Sequence, residues 1–224
     1  RDANWQRANL EWLYHSICAQ GHGAIGLWVS CMLDTFSSGS PDDYERPLAE
    51  TIYEAGQDSE EAEIALWGQK CIDGFAANLE GRYAETLPMF NALVAGTKSL
   101  NADYQSTAYK QRGRCHVGME NYAAGLSDFT HAIELQPDNS LIYFVCGHCY
   151  FEMENYAAGL PHLTRAIELQ PDDGNHYYLR GQTYYWMQNY GAALADLTRA
   201  IELQLDDGDN YFWRGLTCYR MENY

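Results

Sequence analysis

Cys146-Gly-His-Cys149 has the residue types and spacing of a dithiol that shuttles between thiol and disulfide. At the exposed start of a helix the first thiol of such a pair ionises readily, and the second resolves the mixed disulfide it forms. That chemistry would make the chain a thiol oxidoreductase. It needs a preceding strand and an open helix N-terminus. The flanks supply neither: VCGHCYF aligns with LRGQTYY and WRGLTCY, which read as the middle of a helix. The pair is expected to be a coincidence of two apolar positions, and the oxidoreductase reading stands only as an alternative function.

Two other stretches raise chemistry and lose it in context. GHGAIG, Gly21 to Gly26, has the glycine spacing of a dinucleotide-binding turn. That turn requires a strand before it and a second strand with an acidic residue about 20 positions on. EWLYHSICAQ before it reads helical, so a helix-to-helix linker is expected. His15, Cys18 and His22 are spaced 3 and 4, one face of a helix that could hold zinc with one further ligand. Gly21 is expected to end that helix first. No paired carboxylates or nucleophile elbow stand out. No catalytic residue, metal or cofactor is expected, and the chain is read as a non-enzyme.

What positions all of these residues is a repeat. MENYAAGL occurs at Met119 and again at Met153; MQNYGAAL starts at Met187 and MENY at Met221, each 34 residues on. A fixed period of this length marks a repeat architecture. Units begin at Ser106, Ser140, Gly174 and Gly208. Their fourth residue is always Tyr (109, 143, 177, 211), and their eighth is always Gly (113, 147, 181, 215). The eleventh is His116, Tyr150, Tyr184 and Cys218. Positions 4, 8 and 11 form one stripe of a helix, expected to be buried. A mid-helix Gly costs about 1 kcal/mol relative to Ala. Its recurrence points to close approach of a neighbouring helix.

The helix then meets Asn121, Asn155, Asn189 or Asn223, where Asn is expected to take the left-handed conformation that ends helices. A second amphipathic stretch follows, such as YAAGLPHLTRAIELQ, with Leu160, Leu163, Ala166 and Ile167 on one face. Pro137 and Pro171 close two units; Leu205 takes that place in the third. Each unit is a helix–turn–helix hairpin that buries both faces only by stacking on neighbours.

This pattern resembles the tetratricopeptide repeat, carried by Tyr143, Gly147, Tyr150, Leu163, Ala166 and Pro171 and their equivalents. Gly125 and Gly159 replace the expected small Ala that Ala193 keeps. Arg112, Arg180 and Arg214 stand where Leu is commoner, their stems packing while their heads reach a carboxylate or water. The resemblance covers 106–139, 140–173, 174–207 and a truncated 208–224. It implies an all-α fold, a right-handed α-α superhelix (solenoid) of helix-turn-helix repeats. Residues 58–105 read as a degenerate repeat: EEAEIALWGQKCIDGFAANL as first helix, LEGRYAETLPMFNALVAG as turn and second helix, then a longer loop, TKSLNADYQS. Residues 1–57 read as three helical pieces, DANWQRANLEWLYHSICAQ, AIGLWVSCMLDTF and YERPLAETIYEAG, either a cap or eroded repeats.

Composition narrows the partners. The chain has 224 residues, 31 acidic against 14 basic, a net charge of −17. Such a surface repels nucleic-acid phosphate and anionic lipid, so neither nucleic acid nor membrane is expected as a partner. No apolar run is long enough to span a bilayer. With 46% hydrophobic and 14% aromatic residues the chain is too apolar for disorder. Seven scattered Cys argue against a disulfide framework and for the cytoplasm or another reducing compartment. Arg1 is not an initiator Met and the sequence stops inside a repeat, so a fragment of a longer protein is expected.

In the family, the binding groove is lined by the first helix of each unit at positions 2, 5, 9, 12 and 13. The resemblance therefore implies Lys110 and Arg114; Phe144, His148, Phe151 and Glu152; Tyr178, Gln182, Tyr185 and Trp186; and Phe212, Leu216, Tyr219 and Arg220. Some members clamp a terminal carboxylate with Lys and Asn; only Lys110 matches that pattern. Aromatic rows on an open face suit a peptide or helix of a protein partner, basic or apolar in character. The expected function is that of an interaction scaffold or adaptor. The alternative is a regulatory or oligomerisation segment of a larger protein whose catalytic domain lies elsewhere. The oligomeric state is left open.

Overall fold

The computed structural model describes residues 45–58, 80–96, 102–203 and 208–222, with short pieces at 14–15, 18, 65–66, 68–69, 73–74 and 77. These residues form helices and no strand. The longer helices are α1 (Glu45–Asp58), α2 (Tyr83–Gly96), α3 (Ala102–Gly118), α4 (Tyr122–Leu135), α5 (Ser140–Glu152), α6 (Tyr156–Leu169), α7 (Gly174–Trp186), α8 (Tyr190–Leu203) and α9 (Gly208–Glu222). The fold is all-α, a solenoid of helix hairpins. It divides into two compact units, Arg1–Leu135 and Gln136–Tyr224. Of the N-terminal pieces, α1 covers ERPLAETIYEAG of the third, and Cys18 Sγ lies 3.9 Å from the Ala55 carbonyl oxygen. AIGLWVSCMLDTF, GHGAIG and His22 lie outside the described residues.

The hairpin turn is built identically three times, and not as expected from the Asn residues. The left-handed residue is the one before Asn: Glu120 at φ 59°, Glu154 at 54° and Gln188 at 60°. Two backbone bonds close each helix end. Glu154 N–H donates to the Phe151 carbonyl at 2.9 Å and Asn155 N–H to the Tyr150 carbonyl at 2.9 Å, with the same pair at Glu120–Asn121 and Gln188–Asn189. This pair of hydrogen bonds satisfies carbonyls that a helix end leaves orphaned. Asn instead starts the next helix. Its carbonyl accepts from Gly125, Gly159 or Ala193 N–H, and the Asn121 and Asn189 side-chain oxygens accept from Ala124 and Ala192 N–H at 3.4 Å. Asn at this place is a start signal, which is its strongest preference.

The helix begun by TKSLNADYQS also departs from expectation. α3 starts at Ala102, four residues before Ser106, and its 17 residues exceed the 13 of α5 and α7. Part of the insertion is thus absorbed as an extra helical turn. α4, α6 and α8 end in one register at Leu135, Leu169 and Leu203.

The recurrent Gly is where the two helices of a hairpin touch. A Cβ at Gly113 would lie 2.7 Å from Phe129 Cε1, at Gly147 2.4 Å from Leu163 Cδ2, and at Gly181 2.8 Å from Leu197 Cγ. No side chain fits there, so Gly is required despite its propensity cost. The deepest stripe, however, is not positions 4, 8 and 11. Tyr109, Tyr143 and Tyr177 are only half-buried. Positions 3 and 10 are buried in every unit: Ala108, Ile142, His176 and Asn210, then Cys115, Cys149, Thr183 and Thr217. A first helix has two packed sides, and the second is written in small and mixed residue types that carry no hydrophobic period.

Candidate peptide-binding face

Arginine at position 7 ties the hairpins together. Arg180 Nε and Nη2 donate to Asp196 at 2.7 and 2.8 Å, and its Nη1 donates to Thr164 Oγ1 at 3.3 Å, joining α6, α7 and α8. Arg112 does the same with Asp128 at 2.8 and 2.6 Å and Asn91 at 3.2 Å, joining α2, α3 and α4. Burial works against the Arg180 charge, but the hydrogen bonds and charge of Asp196 outweigh it and hold the guanidinium above its ordinary value. Arg180 also lies 5.9 Å from the ring centroids of Tyr177 and Tyr184. In the 140–173 hairpin both partners change together: Cys146 stands for Arg and His162 for Asp, and His162 stacks on Tyr150 at 5.4 Å.

The Cys146 and Cys149 thiols are buried in mid-α5, at 1% and 0% exposure. Burial pushes both up to about 12. The thiolate that thiol–disulfide exchange needs is therefore suppressed at neutral pH. His15 and Cys18 belong to no cluster of three or more metal-ligating side chains among the described residues.

Of the fourteen residues expected in the groove, Lys110 and Arg114 belong to the first compact unit. Lys110 is half-buried, and burial, then the Arg114 charge, lowers its pKa. Arg114 is exposed, with Nη1 3.4 Å from Gln111 Oε1. The other twelve belong to the second unit. Phe144 is half-buried against the His176 ring at 5.2 Å, and Phe151 lies edge-on to Tyr156 at 5.6 Å. His148 sits 3.4 Å from Glu152. Gln182 is buried and donates to the Tyr178 hydroxyl at 3.0 Å. Leu216 is half-buried.

The open part of the face lies on α7 and α9. Trp186 is 51% exposed, Phe212 63% and Tyr219 62%, while Tyr185 is buried. Tyr185 sits edge-on to Trp186, Tyr190 and Trp213 at 5.6, 5.6 and 5.3 Å. Trp213 in turn meets Trp186 at 6.3 Å and Phe212 at 6.0 Å. Arg220 Nε donates to the Tyr185 hydroxyl at 3.3 Å, and Tyr185, Trp186, Gln188, Tyr190 and Arg220 line a cleft of about 220 Å³. Edge-to-face rings at these separations favour one another. Trp213 and Tyr190 were not among the expected groove residues. Trp213 follows Gln111, Val145 and Leu179 at position 6, and that break in the column was the available signal. Tyr190 is the turn Tyr, which recurs at Tyr122 and Tyr156 and was read only as part of the turn.

The hairpin register, the glycine contacts and the turn geometry agree with what sequence comparison finds. The tetratricopeptide repeat profile matches residues 141–173 and 177–207. Those two stretches carry tetratricopeptide repeats. Among solved structures of similar fold, the crystal structure of MamA is 17% identical, covers 67% of this chain and 84% of its own, and superposes with a TM-score of 0.60. The first such domain of Spaghetti (RPAP3), bound to the HSP90 peptide SRMEEVD, is 17% identical, covers 52% of this chain and 93% of its own, and has a TM-score of 0.51. The Arabidopsis OM64 domain is 18% identical over 51% of this chain and 95% of its own, with a TM-score of 0.50. No curated protein matches the chain in sequence. At these identities the tetratricopeptide structures establish the fold. Among the described residues, no helix is long and apolar enough to cross a membrane.

Proposed function

We propose that this chain is a protein-interaction module that holds a peptide or helix of a partner protein against the aromatic face of α7 and α9. The observation that carries this reading is the exposure of Trp186, Phe212 and Tyr219 beside a cluster of rings with a cleft at its edge. Large aromatics left open to water at one place are characteristic of binding surfaces. Likeness to a domain that holds the HSP90 peptide SRMEEVD supports the class of ligand. The net charge of −17 favours basic or apolar partners over nucleic acid or an anionic membrane. Free, buried Cys115, Cys146 and Cys149 fit a reducing compartment such as the cytoplasm.

The test is selection of binders from a displayed peptide library, followed by affinity measurement with Trp186→Glu and Phe212→Glu. Both side chains are exposed, so circular dichroism should report unchanged helicity. At least a tenfold loss of affinity in a folded variant is expected. Unchanged affinity, or a library that enriches nothing, overturns the proposal.

A further inference from the structure

One pair of rings occurs at the same place in two successive hairpins, in opposite charge surroundings. Phe151 meets Tyr156 edge-on at 5.6 Å and 63°, and Tyr185 meets Tyr190 at 5.6 Å and 61°. Each pair joins the end of a first helix to the start of the second, one repeat apart. Beside the first pair stand Glu152 and Glu154, both exposed. Burial, then the charges of Glu154 and Glu152, raises the Tyr156 hydroxyl above its ordinary value, so both carboxylates act on that ring. His148 Nε2 lies 3.4 Å from Glu152. Beside the second pair the same two positions hold Trp186 and Gln188. Arg220 reaches in from α9, its Nε donating to the Tyr185 hydroxyl at 3.3 Å, and it lines the cleft of about 220 Å³ with Tyr185, Trp186, Gln188 and Tyr190. Among the described residues, no carboxylate lines that cleft.

We propose, resting on the reading of this aromatic face as a peptide site, that its occupant is an extended segment of a partner protein bearing charges of both signs: a lysine or arginine and, about three residues away, an aspartate or glutamate. Neighbouring packed helices lie about 10 Å apart and an extended chain advances about 3.3 Å per residue, so one hairpin corresponds to about three residues. The basic side chain belongs at the Phe151–Tyr156 pair. Its stem packs on the rings, its charge meets Glu152 and Glu154, and the ring faces add a cation–π attraction. A carboxylate at that place would face two of its own sign. The acidic side chain belongs at the next cleft, where Arg220 is the charged residue of the lining and a guanidinium pairs with a carboxylate through charge-assisted hydrogen bonds. Trp186 holds in α7 the repeat position that Arg220 holds in α9, so it stands between the two ring pairs. It is 51% exposed and offers its indole to an apolar residue between the charges. The net charge of −17 by itself favours a basic partner. The cleft at Arg220 makes the required segment bipolar, and two unlike charges one hairpin apart set its register, which a uniform aromatic row would not.

The test is selection from a displayed peptide library on the whole chain, read for charge, followed by double-mutant cycles on an enriched peptide. Enriched peptides should carry one basic and one acidic residue about three positions apart, with an apolar residue between them. Glu152→Gln combined with Glu154→Gln should weaken such a peptide about three- to fivefold, and should not weaken the same peptide once its basic residue is replaced by Gln. Arg220→Gln should weaken binding by a similar factor, and only for peptides that keep the acidic residue. All three side chains are exposed, and Gln188 already occupies the left-handed position that Glu154 has one hairpin earlier, so circular dichroism should show unchanged helicity. Losses that ignore the charges of the peptide overturn the proposal. So do enriched peptides that are uniformly basic or uncharged; if Trp186→Glu still abolishes their binding, the peptide site itself stands. A library that enriches nothing overturns both. If sedimentation shows self-association of the wild-type chain that an enriched peptide displaces, the occupant is a second copy and the proposal fails.

Discussion

α7 and α9 present nearly the same contact residues and live in different surroundings. α7 has a following helix, and each of its repeat positions is committed: Gly181 under Leu197, Arg180 on Asp196, Tyr177 and Tyr184 flanking the guanidinium. α9 has the same Gly, Arg and first Tyr, with open space at Gly215 and no paired carboxylate on Arg214 among the described residues. The comparison separates what a residue does by itself from what its neighbours make of it. A glycine that is obligatory in α7 is only a weak helix former in α9.

The largest difference should come from the ion pair. Asp196→Ala strips a half-buried guanidinium of both hydrogen bonds and should cost about 2–4 kcal/mol, read as a lower denaturation midpoint in urea. Arg214→Ala removes no such pair and should change stability by less than about 0.5 kcal/mol. Similar losses in the two variants would mean that Arg214 has a partner equivalent to Asp196.

Cysteine gives the next contrast. The Cys146 and Cys149 thiols are pushed from the ordinary 9.0 up to about 12. The folded state therefore keeps protons that the unfolded chain releases. The stability linked to these groups is complete below pH 9 and is lost as pH rises toward 12. The loss should reach about 1.4 kcal/mol for each thiol, about 3 kcal/mol for the pair, near pH 10. Replacing both by Ala should flatten the slope of unfolding free energy above pH 9 relative to wild type. Iodoacetamide at pH 8 should label the half-buried Cys218 of α9 while Cys146 and Cys149 stay protected. A wild-type slope equal to that of the double variant would show that the thiols are not desolvated.

Glycine comes third, and here the sign reverses between the two regions. Gly147→Ala puts a methyl group 2.4 Å from Leu163 Cδ2, and Leu163 is itself fully buried. Overpacking should exceed the propensity gain and leave a net loss of about 1 kcal/mol. Gly215→Ala meets no atom within 4 Å and should gain about 0.5–1 kcal/mol, seen as a higher midpoint of thermal unfolding. A loss at both positions would mean that α9 is covered.

The period of 34 made the hairpins legible, because a motif that recurs at fixed spacing identifies its own contacts. Gly113, Gly147 and Gly181 announced a helix crossing by their recurrence, and Arg112 and Arg180 announced a polar partner by replacing Leu. Two things were not legible. The second packed side of each first helix uses Ala, Ile, His and Asn at one position and Cys, Cys, Thr and Thr at another. Hydrophobic periodicity does not report a contact chosen for size. The candidate site was legible in part: Trp186, Phe212 and Tyr219 are exposed, but Gln182 and Tyr185 are buried, and Trp213 entered the cluster from a position that is aliphatic in the two preceding hairpins. Aromatic residues are large enough to reach across a helix, so their helical position alone does not fix which side they serve.

The smallest effect tests the turn. Glu154 and Gln188 sit in the left-handed region, where a side chain costs about 1–2 kcal/mol and Gly does not. Gly also has more freedom to lose on folding, by about 0.5–1 kcal/mol. The balance should leave Glu154→Gly more stable by about 0.5 kcal/mol. Glu222 occupies the same repeat position in α9, yet it is helical and has no positive φ. Glu222→Gly should therefore lose a few tenths of a kcal/mol, the ordinary penalty for Gly at a helix end. Opposite signs in urea denaturation would locate the turn in the hairpin and not in the Met-Glu-Asn-Tyr sequence, which both places share. Equal gains would mean that the sequence forms the turn unaided.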